Sequence, residues 1–330
     1  MPTPRMVDLS DRLLAGDPPV VEVADPTIPA QGYRLDLAED GITLHHADDA
    51  GRRYGHQTLD QLRAQGLRAG RIEDHPDLVT RGFMLDISRD RVPTRDDLLR
   101  LVDRLDRLRL NHLQLYTEHT FAYVGHKEVW RDASPMTVDD VRWLDAECAT
   151  RGIELVANQN TFGHAERWLR HDSYRHRAVD PASRDPHSFA PTADNARFVL
   201  DLVAELAAAH TSRTVNIGCD EVFELHDRRD EFLAHLGRLL DGTRALGLRP
   251  QFWADMIHGD PAAAAPLVGD ATALLWHYEA PMPEEVVGLM GGLELPPPFD
   301  TLVQDWVDSG AWAGFGPRAE RFAGAGIDWW

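Results

Sequence analysis

Only two of the 330 residues are cysteine, Cys148 and Cys219. Two thiols cannot build a disulfide framework or a thiolate metal site. Basic side chains are scarce too. The 34 Lys and Arg stand against 54 Asp and Glu, for a formal net charge of -20. Phosphate backbones need a basic surface, so nucleic acid is excluded as an expected partner. An anionic membrane surface is excluded on the same ground. No run of about 18 apolar residues occurs, so nothing is expected to span a bilayer. The opening Met1-Pro-Thr-Pro-Arg-Met-Val-Asp-Leu9 lacks the apolar core of a signal peptide, and a cytoplasmic location is the expectation. No Gly-x-Gly-x-x-Gly follows a strand, which weighs against a dinucleotide fold. There is no internal repeat.

What remains is a globular balance of 43% hydrophobic and 27% charged residues. The length suits an α/β barrel with an appendage. Residues 1–30 show no clear period. Tyr33–Leu37 and Gly41–His46 alternate as strands, with Asp40-Gly41 suited to the turn between them. Leu59 and Leu62 mark a helix near Thr58–Gln65. Asp74-His-Pro-Asp77 then breaks the pattern. The expected division is a small N-terminal α+β domain over 1–75 and a barrel over 76–330.

From Arg81 onward strands and helices alternate. Strands are expected at Gly82–Ser88, Asn111–Tyr116, Ile153–Ala157, Thr214–Cys219, Pro250–Ala254 and Ala271–His277. Apolar stripes such as Leu98, Val102, Leu105 and Leu108 mark the helices between them. Thr94 and Thr137 are placed to cap two of these helices. Alternation of this length implies parallel βαβ units closed into a barrel.

The most informative stretch is Thr214–Leu225. Val215, Ile217 and Cys219 alternate as in a strand and run into two adjacent acids, Asp220 and Glu221. Two carboxylates at the end of an apolar strand are costly if buried without partners. A helix N-terminus would also favour acids, and that bland reading stays open beside the functional one. The functional reading is a carboxylate pair for acid/base work on a neutral substrate.

In a βα barrel the active site lies at the C-terminal ends of the strands. There the chain places Ser88-Arg89, Thr117-Glu118-His119, Asn158-Gln-Asn160 with Phe162-Gly163-His164, Trp253 with Asp255, and Trp276-His-Tyr278-Glu279. Tryptophans beside carboxylates and an arginine suit a sugar ring, whose C–H faces stack while its hydroxyls take directed hydrogen bonds. A metal site is the competing chemistry. His112, His119, His126 and His164 lack the i, i+4 spacing of a helical zinc motif. His112, inside a strand, reads as a packed core residue. No metal and no cofactor are expected.

Arg81-Gly-Phe-Met-Leu-Asp-Ile-Ser-Arg89, then an Asn-x-Leu-x-Leu strand, then Gly-Cys-Asp-Glu221 resemble the family 20 glycoside hydrolases, the β-N-acetylhexosaminidases. Thr117–Tyr123 and Asn158–His164 look like a bacterial branch. Tyr33–Leu62 is similar to the small domain preceding the barrel in that family. The resemblance implies a (β/α)8 TIM-type barrel and substrate-assisted hydrolysis of terminal N-acetylhexosamine, in which the 2-acetamido oxygen is the nucleophile. Glu221 would be general acid and then base. Asp220 would hold the acetamido N–H. Arg89 would bind sugar hydroxyls. Glu118 and His164 would tune Glu221, and Asn160 and Asp255 would line the sugar site. Trp253 and Trp276 would wall the acetamido pocket, with Tyr278 donating to its oxygen. A general acid needs a raised pKa, and the neighbouring Asp220 is expected to supply the shift.

The family usually has Asp at the place of Glu118 and a more acidic motif at Asn158–Asn160. The chain ends at Trp330 in what looks like strand seven, so the last strand of the barrel is expected to be lacking. The open edge makes a homo-oligomer the expected protein partner. The rival readings are a non-catalytic glycan-binding protein on the same scaffold and a metal-dependent barrel hydrolase.

Overall fold

The computed structural model describes residues 2–89, 91–276 and 315–330. The chain separates into two compact units. One gathers 1–83, 95–113 and 146–154; the other gathers 84–94, 114–145 and 155–330.

In the first unit, β1 (Met6–Leu13), β2 (Val20–Ala24), β3 (Tyr33–Leu37), β4 (Ile42–His46) and β5 (Arg68–Asp74) form one sheet in the order β1-β5-β3-β4-β2. Helix α1 (Asp49–Gln65) joins β4 to β5. Its first turn is capped by Asp48, whose Oδ1 accepts from the Gly51 N–H at 2.8 Å. The alternation read in β3 and β4 is the buried face: Tyr33, Leu35, Leu37, Ile42 and Leu44 pack with Tyr54, Leu59 and Ile72. The aperiodic first thirty residues nevertheless hold β1 and β2. Both are edge strands and almost wholly exposed, so no face is buried and no apolar period is written into them. Helix α1 also begins nine residues before the expected Thr58, across Gly51 and Gly55, which are weak helix formers.

The other sheet runs β6 (Gly82–Asp86), β7 (His112–Tyr116), β8 (Glu154–Asn158), β9 (Thr214–Asn216), β10 (Arg249–Trp253) and β11 (Thr272–Leu274), neighbours in sequence order. The β8/β9, β9/β10 and β10/β11 pairs are parallel. Helices α2 (Arg95–Arg107), α3 (Lys127–Trp130), α4 (Val138–Thr150), α5 (Glu166–Leu169), α6 (Asp172–Arg175), α7 (Ala193–Ala207), α8 (Arg229–Ala245) and α9 (Pro261–Val268) fill the connections. Helix α10 (Phe315–Gly324) precedes the last residues. Thr137 and Asp140 bond reciprocally at the start of α4, a capping box with Asp in the place of Glu. Beyond α10, the Ala273 N–H donates to Asp328 and the Trp330 N–H donates back to Ala273, parallel beside β11. Sequential parallel strands alternating with helices are the arrangement of the (β/α)8 TIM-type barrel.

Between the strands lies a polar layer. Gln114 of β7 bonds Gln251 of β10 at 2.7 Å, and Asn158 of β8 and Asn216 of β9 both donate to Gln114 Oε1. One inward residue from each of four strands ties the sheet below the site. His112 is buried, and burial pushes its pKa down to about 4. That is the packed, neutral residue expected.

Candidate active site

The regular strand β9 ends at Asn216, short of the expected Cys219. Three of the next five residues, Gly218, Cys219 and Glu221, have φ of 72°, 77° and 49°. A left-handed non-glycine residue costs roughly 1–3 kcal/mol and persists only where its surroundings hold it. Here they do. The Glu221 N–H donates to Asp255 Oδ2 at 2.9 Å, the Trp253 N–H donates to the Gly218 carbonyl at 2.8 Å, and the Cys219 side chain is fully buried. Gly163 lies so close below that a Cβ would stand 2.2 Å from the Asp220 carbonyl oxygen. A Cβ on Gly218 would stand 2.4 Å from Asn160 Oδ1.

This turn defeats the strand rule that adjacent side chains face opposite ways. Asp220 Oδ2 and Glu221 Oε2 lie 3.2 and 3.1 Å from the same atom, Nε2 of His164. His164 is itself left-handed, with φ 54°. Its Nδ1 faces Arg89 Nη2 at 3.3 Å and Glu118 Oε1 at 3.8 Å. Burial opposes a charge on this ring, while Asp220, Glu221 and Glu118 favour one. The two carboxylates at Nε2 prevail, and the pKa is pushed up to about 10. An imidazolium donating to both acids is the state that follows.

Glu118 sits behind it, buried. Its Oε1 accepts from Tyr116 Oη at 3.1 Å and pairs with Arg89 Nη2 at 3.0 Å. Its backbone is fixed by a 2.8 Å bond from its N–H to Ser88 Oγ and a 2.7 Å bond from Trp168 Nε1 to its carbonyl. Burial raises its pKa to about 7, against the pull of Arg89 and His164. Asn160 Nδ2 donates to Tyr116 Oη at 2.8 Å and to Asp220 Oδ1 at 3.2 Å. Asp255 is pushed upward by burial and then by the charge of Asp220. Three buried atoms, Asn160 Oδ1, Trp253 Nε1 and Asp255 Oδ1, have no partner among the described residues.

Glu221 departs from the expectation. Its pKa is lowered, not raised, first by its hydrogen bond to His164. The expected upward shift from Asp220 is overturned, because the imidazolium set between the two acids, with the charges of His187 and Arg89, outweighs the burial that opposes it.

Arg89, Glu118, Asn160, His164, Asp220, Glu221 and Asp255 are therefore joined by direct contacts. Trp253 and Trp276 are half-buried at the ends of β10 and β11, and the Trp276 carbonyl accepts from Arg318 at 2.7 Å. Tyr278 lies outside the described residues, as do His277 and Glu279. The bland reading of Asp220-Glu221 as helix-start acids does not hold, because a 3-10 turn begins only at Phe223.

Sequence reasoning missed three participants. Tyr116 links Glu118 to Asn160 and carries the Arg89 guanidinium 4.9 Å above its ring. The signal was available, since Tyr116 lies two residues from Gln114 on the inward face of β7. His187 and Glu166 gave none. His187 Nδ1 lies 2.6 Å from Glu166, and its Nε2 lies 3.0 Å from the Glu221 carbonyl, bracing the left-handed turn. His164, Glu166 and His187 present ligand atoms within 4.8 Å of one another, which is close enough to hold a metal ion. Yet protein partners already engage His164 Nε2 and both nitrogens of His187. The trio closes as an ion-pair network.

Residues 8–75 match the family described as glycosyl hydrolase family 20, domain 2. A β-hexosaminidase of Akkermansia muciniphila is 30% identical over 163 residues, covering 42% of this chain and 33% of that protein. Human hexosaminidase D is 24% identical over 193 residues, covering 52% of this chain and 39% of that one. The solved GH20 β-N-acetylhexosaminidase of Streptomyces coelicolor A3(2) superposes with a TM-score of 0.68 at 24% identity, covering 84% of this chain and 61% of that chain. The chain thus spans between a third and two thirds of the length of these proteins. The likeness to the solved structure is one of fold. With the matched domain and the curated relatives, it agrees with the resemblance read from Arg81–Arg89 and Gly218–Glu221: the chain is similar to the family 20 glycosyl hydrolases.

Proposed function

We propose that this protein hydrolyses terminal β-linked N-acetylhexosamine from oligosaccharides or glycoconjugates, with retention and with the substrate's acetamide as nucleophile. The observation that carries the reading is the convergence of Asp220 and Glu221 on one imidazole nitrogen. A turn that holds two neighbouring acids to one point suits a substrate that needs both at adjacent atoms. Asp220, held by Asn160, takes the acetamido N–H and stabilises its growing charge. Glu221, more exposed than Asp220, donates to the glycosidic oxygen and later activates water. Arg89 holds ring hydroxyls in its planar fork. Trp253 and Trp276 wall the acetamido pocket.

The lowered pKa of Glu221 belongs to the free protein. The proton that acid catalysis needs is stored on His164. A sugar that covers Glu221 removes water from it, disfavours its charge and moves the proton from Nε2 to the carboxylate. Glu118 and Arg89 then face a neutral ring that keeps its remaining proton on Nδ1. A cytoplasmic setting is part of the same proposal, supported by two buried free thiols, Cys148 and Cys219.

The test is a panel of aryl β-glycosides differing at C2. The 2-acetamido compounds should be cleaved, the 2-hydroxy compounds should be very poor substrates, and a thiazoline mimic of the cyclic intermediate should inhibit strongly. Equal turnover of both series, or a sugar trapped on an enzyme carboxylate, would overturn the reading.

A further inference from the structure

A second cavity lies in the same unit as the acids, with a volume of about 350 Å³. Arg91, Arg167, Arg170, His119, Thr120 and Asp132 line it. Its charge runs against the composition of the molecule. The chain carries 54 acids to 34 basic residues, yet among the described residues this wall has three guanidiniums to one carboxylate. That carboxylate is already matched, because Asp132 Oδ2 lies 3.3 Å from Arg131 Nε. His119 is buried, Arg167 is half-buried, and Arg91 and Arg170 are exposed at the mouth.

The same three segments after β6, β7 and β8 supply both this cavity and the carboxylate cluster. Arg91 comes two residues after Arg89, His119 directly follows Glu118, and Arg167 comes three residues after His164. The walls are also bonded to each other. Thr120 Oγ1 is 3.1 Å from Ser88 Oγ, which takes the Glu118 N–H at 2.8 Å. A group seated among these arginines is thus held by the segments that hold Arg89, Glu118 and His164.

We propose that this cavity binds an oxyanion carried by the substrate glycan, a sulfate or phosphate ester or a carboxylate. The proposal rests on the reading of Asp220 and Glu221 as a glycosidase site, and it names the class of glycan cleaved there. Guanidiniums match oxyanions through paired N–H bonds, which are the strong, charge-assisted kind. In a protein of charge -20 a local cationic pocket also offsets the long-range repulsion of an acidic substrate.

The experiment compares kcat/KM for an aryl N-acetyl-β-glucosaminide with its sulfate esters at C3, C4 and C6. It uses the full chain, Arg91→Gln/Arg170→Gln, and Arg170→Lys. The ratio of the best sulfated substrate to the parent should fall about tenfold in the double glutamine variant. It should fall less in Arg170→Lys, and it should fall in the unaltered chain as salt is raised. A ratio unaffected by the double variant would overturn the proposal. Calorimetric titration with inorganic sulfate separates this from the glycosidase reading. If no aryl glycoside is cleaved, that reading fails, and sulfate binding lost in the double variant still supports the cavity. No sulfate binding together with no preference for any sulfated ester would overturn it.

Discussion

Two buried ionic clusters among the described residues are built to opposite ends. In the first unit Arg109 pairs with Asp74 and donates to Thr58, to Tyr33 Oη and to the Tyr54 carbonyl. Tyr33 Oη and Thr58 Oγ1 bond each other at 2.6 Å, and the guanidinium lies over both the Tyr33 and Tyr54 rings. One cation meets one anion, and only Arg109 Nε lacks a partner among the described residues. In the second unit one imidazole nitrogen serves two carboxylates, a third acid stands behind it with its pKa raised to about 7, and a fourth is pushed upward beside them. Three backbone positions there are left-handed without glycine: His164, Cys219 and Glu221. Burial of charge marks both clusters. A left-handed residue and an orphaned atom occur in both as well, since Arg109 has φ 59° and an unpartnered Nε. Competition for protons marks only the second, and it is what bound substrate can resolve and what separates a site from a brace.

Breaking the two clusters should therefore cost different quantities. The largest effect belongs to the acids. Asp220→Asn should slow cleavage for every leaving group, and Glu221→Gln should slow poor leaving groups by about 10²–10⁴-fold while partly sparing activated aryl ones. Steady-state rates across a leaving-group series check this, and identical profiles for the two variants would contradict it. Arg109→Ala should instead cost about 3–5 kcal/mol of stability by stranding Asp74, with kcat of the folded fraction preserved. Urea unfolding followed by active-site titration measures both. Arg89→Lys should lower kcat/KM by about tenfold, ~1.4 kcal/mol of transition-state binding, with little change in unfolding midpoint.

The smallest effect is a slope. Glu118 has a folded pKa near 7 against its ordinary 4.5. The folded chain binds the extra proton between those values, so the stability from this group is complete below about pH 4.5 and is lost as pH rises through about 7. Glu118→Gln should flatten that part of the stability–pH curve. An unchanged slope would assign Glu118 an ordinary pKa.

Legibility in the sequence followed periodicity. Strands β3, β4, β7, β8 and β10 could be read because one or both faces are buried, which writes apolar residues at fixed spacing. Strands β1 and β2 could not, because edge exposure leaves them free of that constraint. The site was legible where motif and strand end coincide, at Arg89, Glu118, His164 and Asp220-Glu221. Tyr116 was legible only through its place two residues from Gln114 on the same face of β7. His187 and Glu166 reach the site only through a loop and a four-residue helix, so no local pattern announces them. The direction of the Glu221 shift was not legible at all. It depends on a left-handed turn that sets both acids against one histidine, and the sequence shows only that they are neighbours.

The central claim is that the free protein keeps its working proton on His164 and gives it to Glu221 when a sugar arrives. Nitrogen-15 NMR of His164 reads this directly, in the free protein and with a non-hydrolysable thioglycoside of N-acetylglucosamine. The free imidazole should be cationic at neutral pH and titrate only near pH 10. With the thioglycoside bound the ring should become neutral, losing the proton from Nε2 to Glu221 and keeping the one on Nδ1. A neutral His164 in the free protein, or a ring whose charge is the same with and without the sugar, would contradict the account.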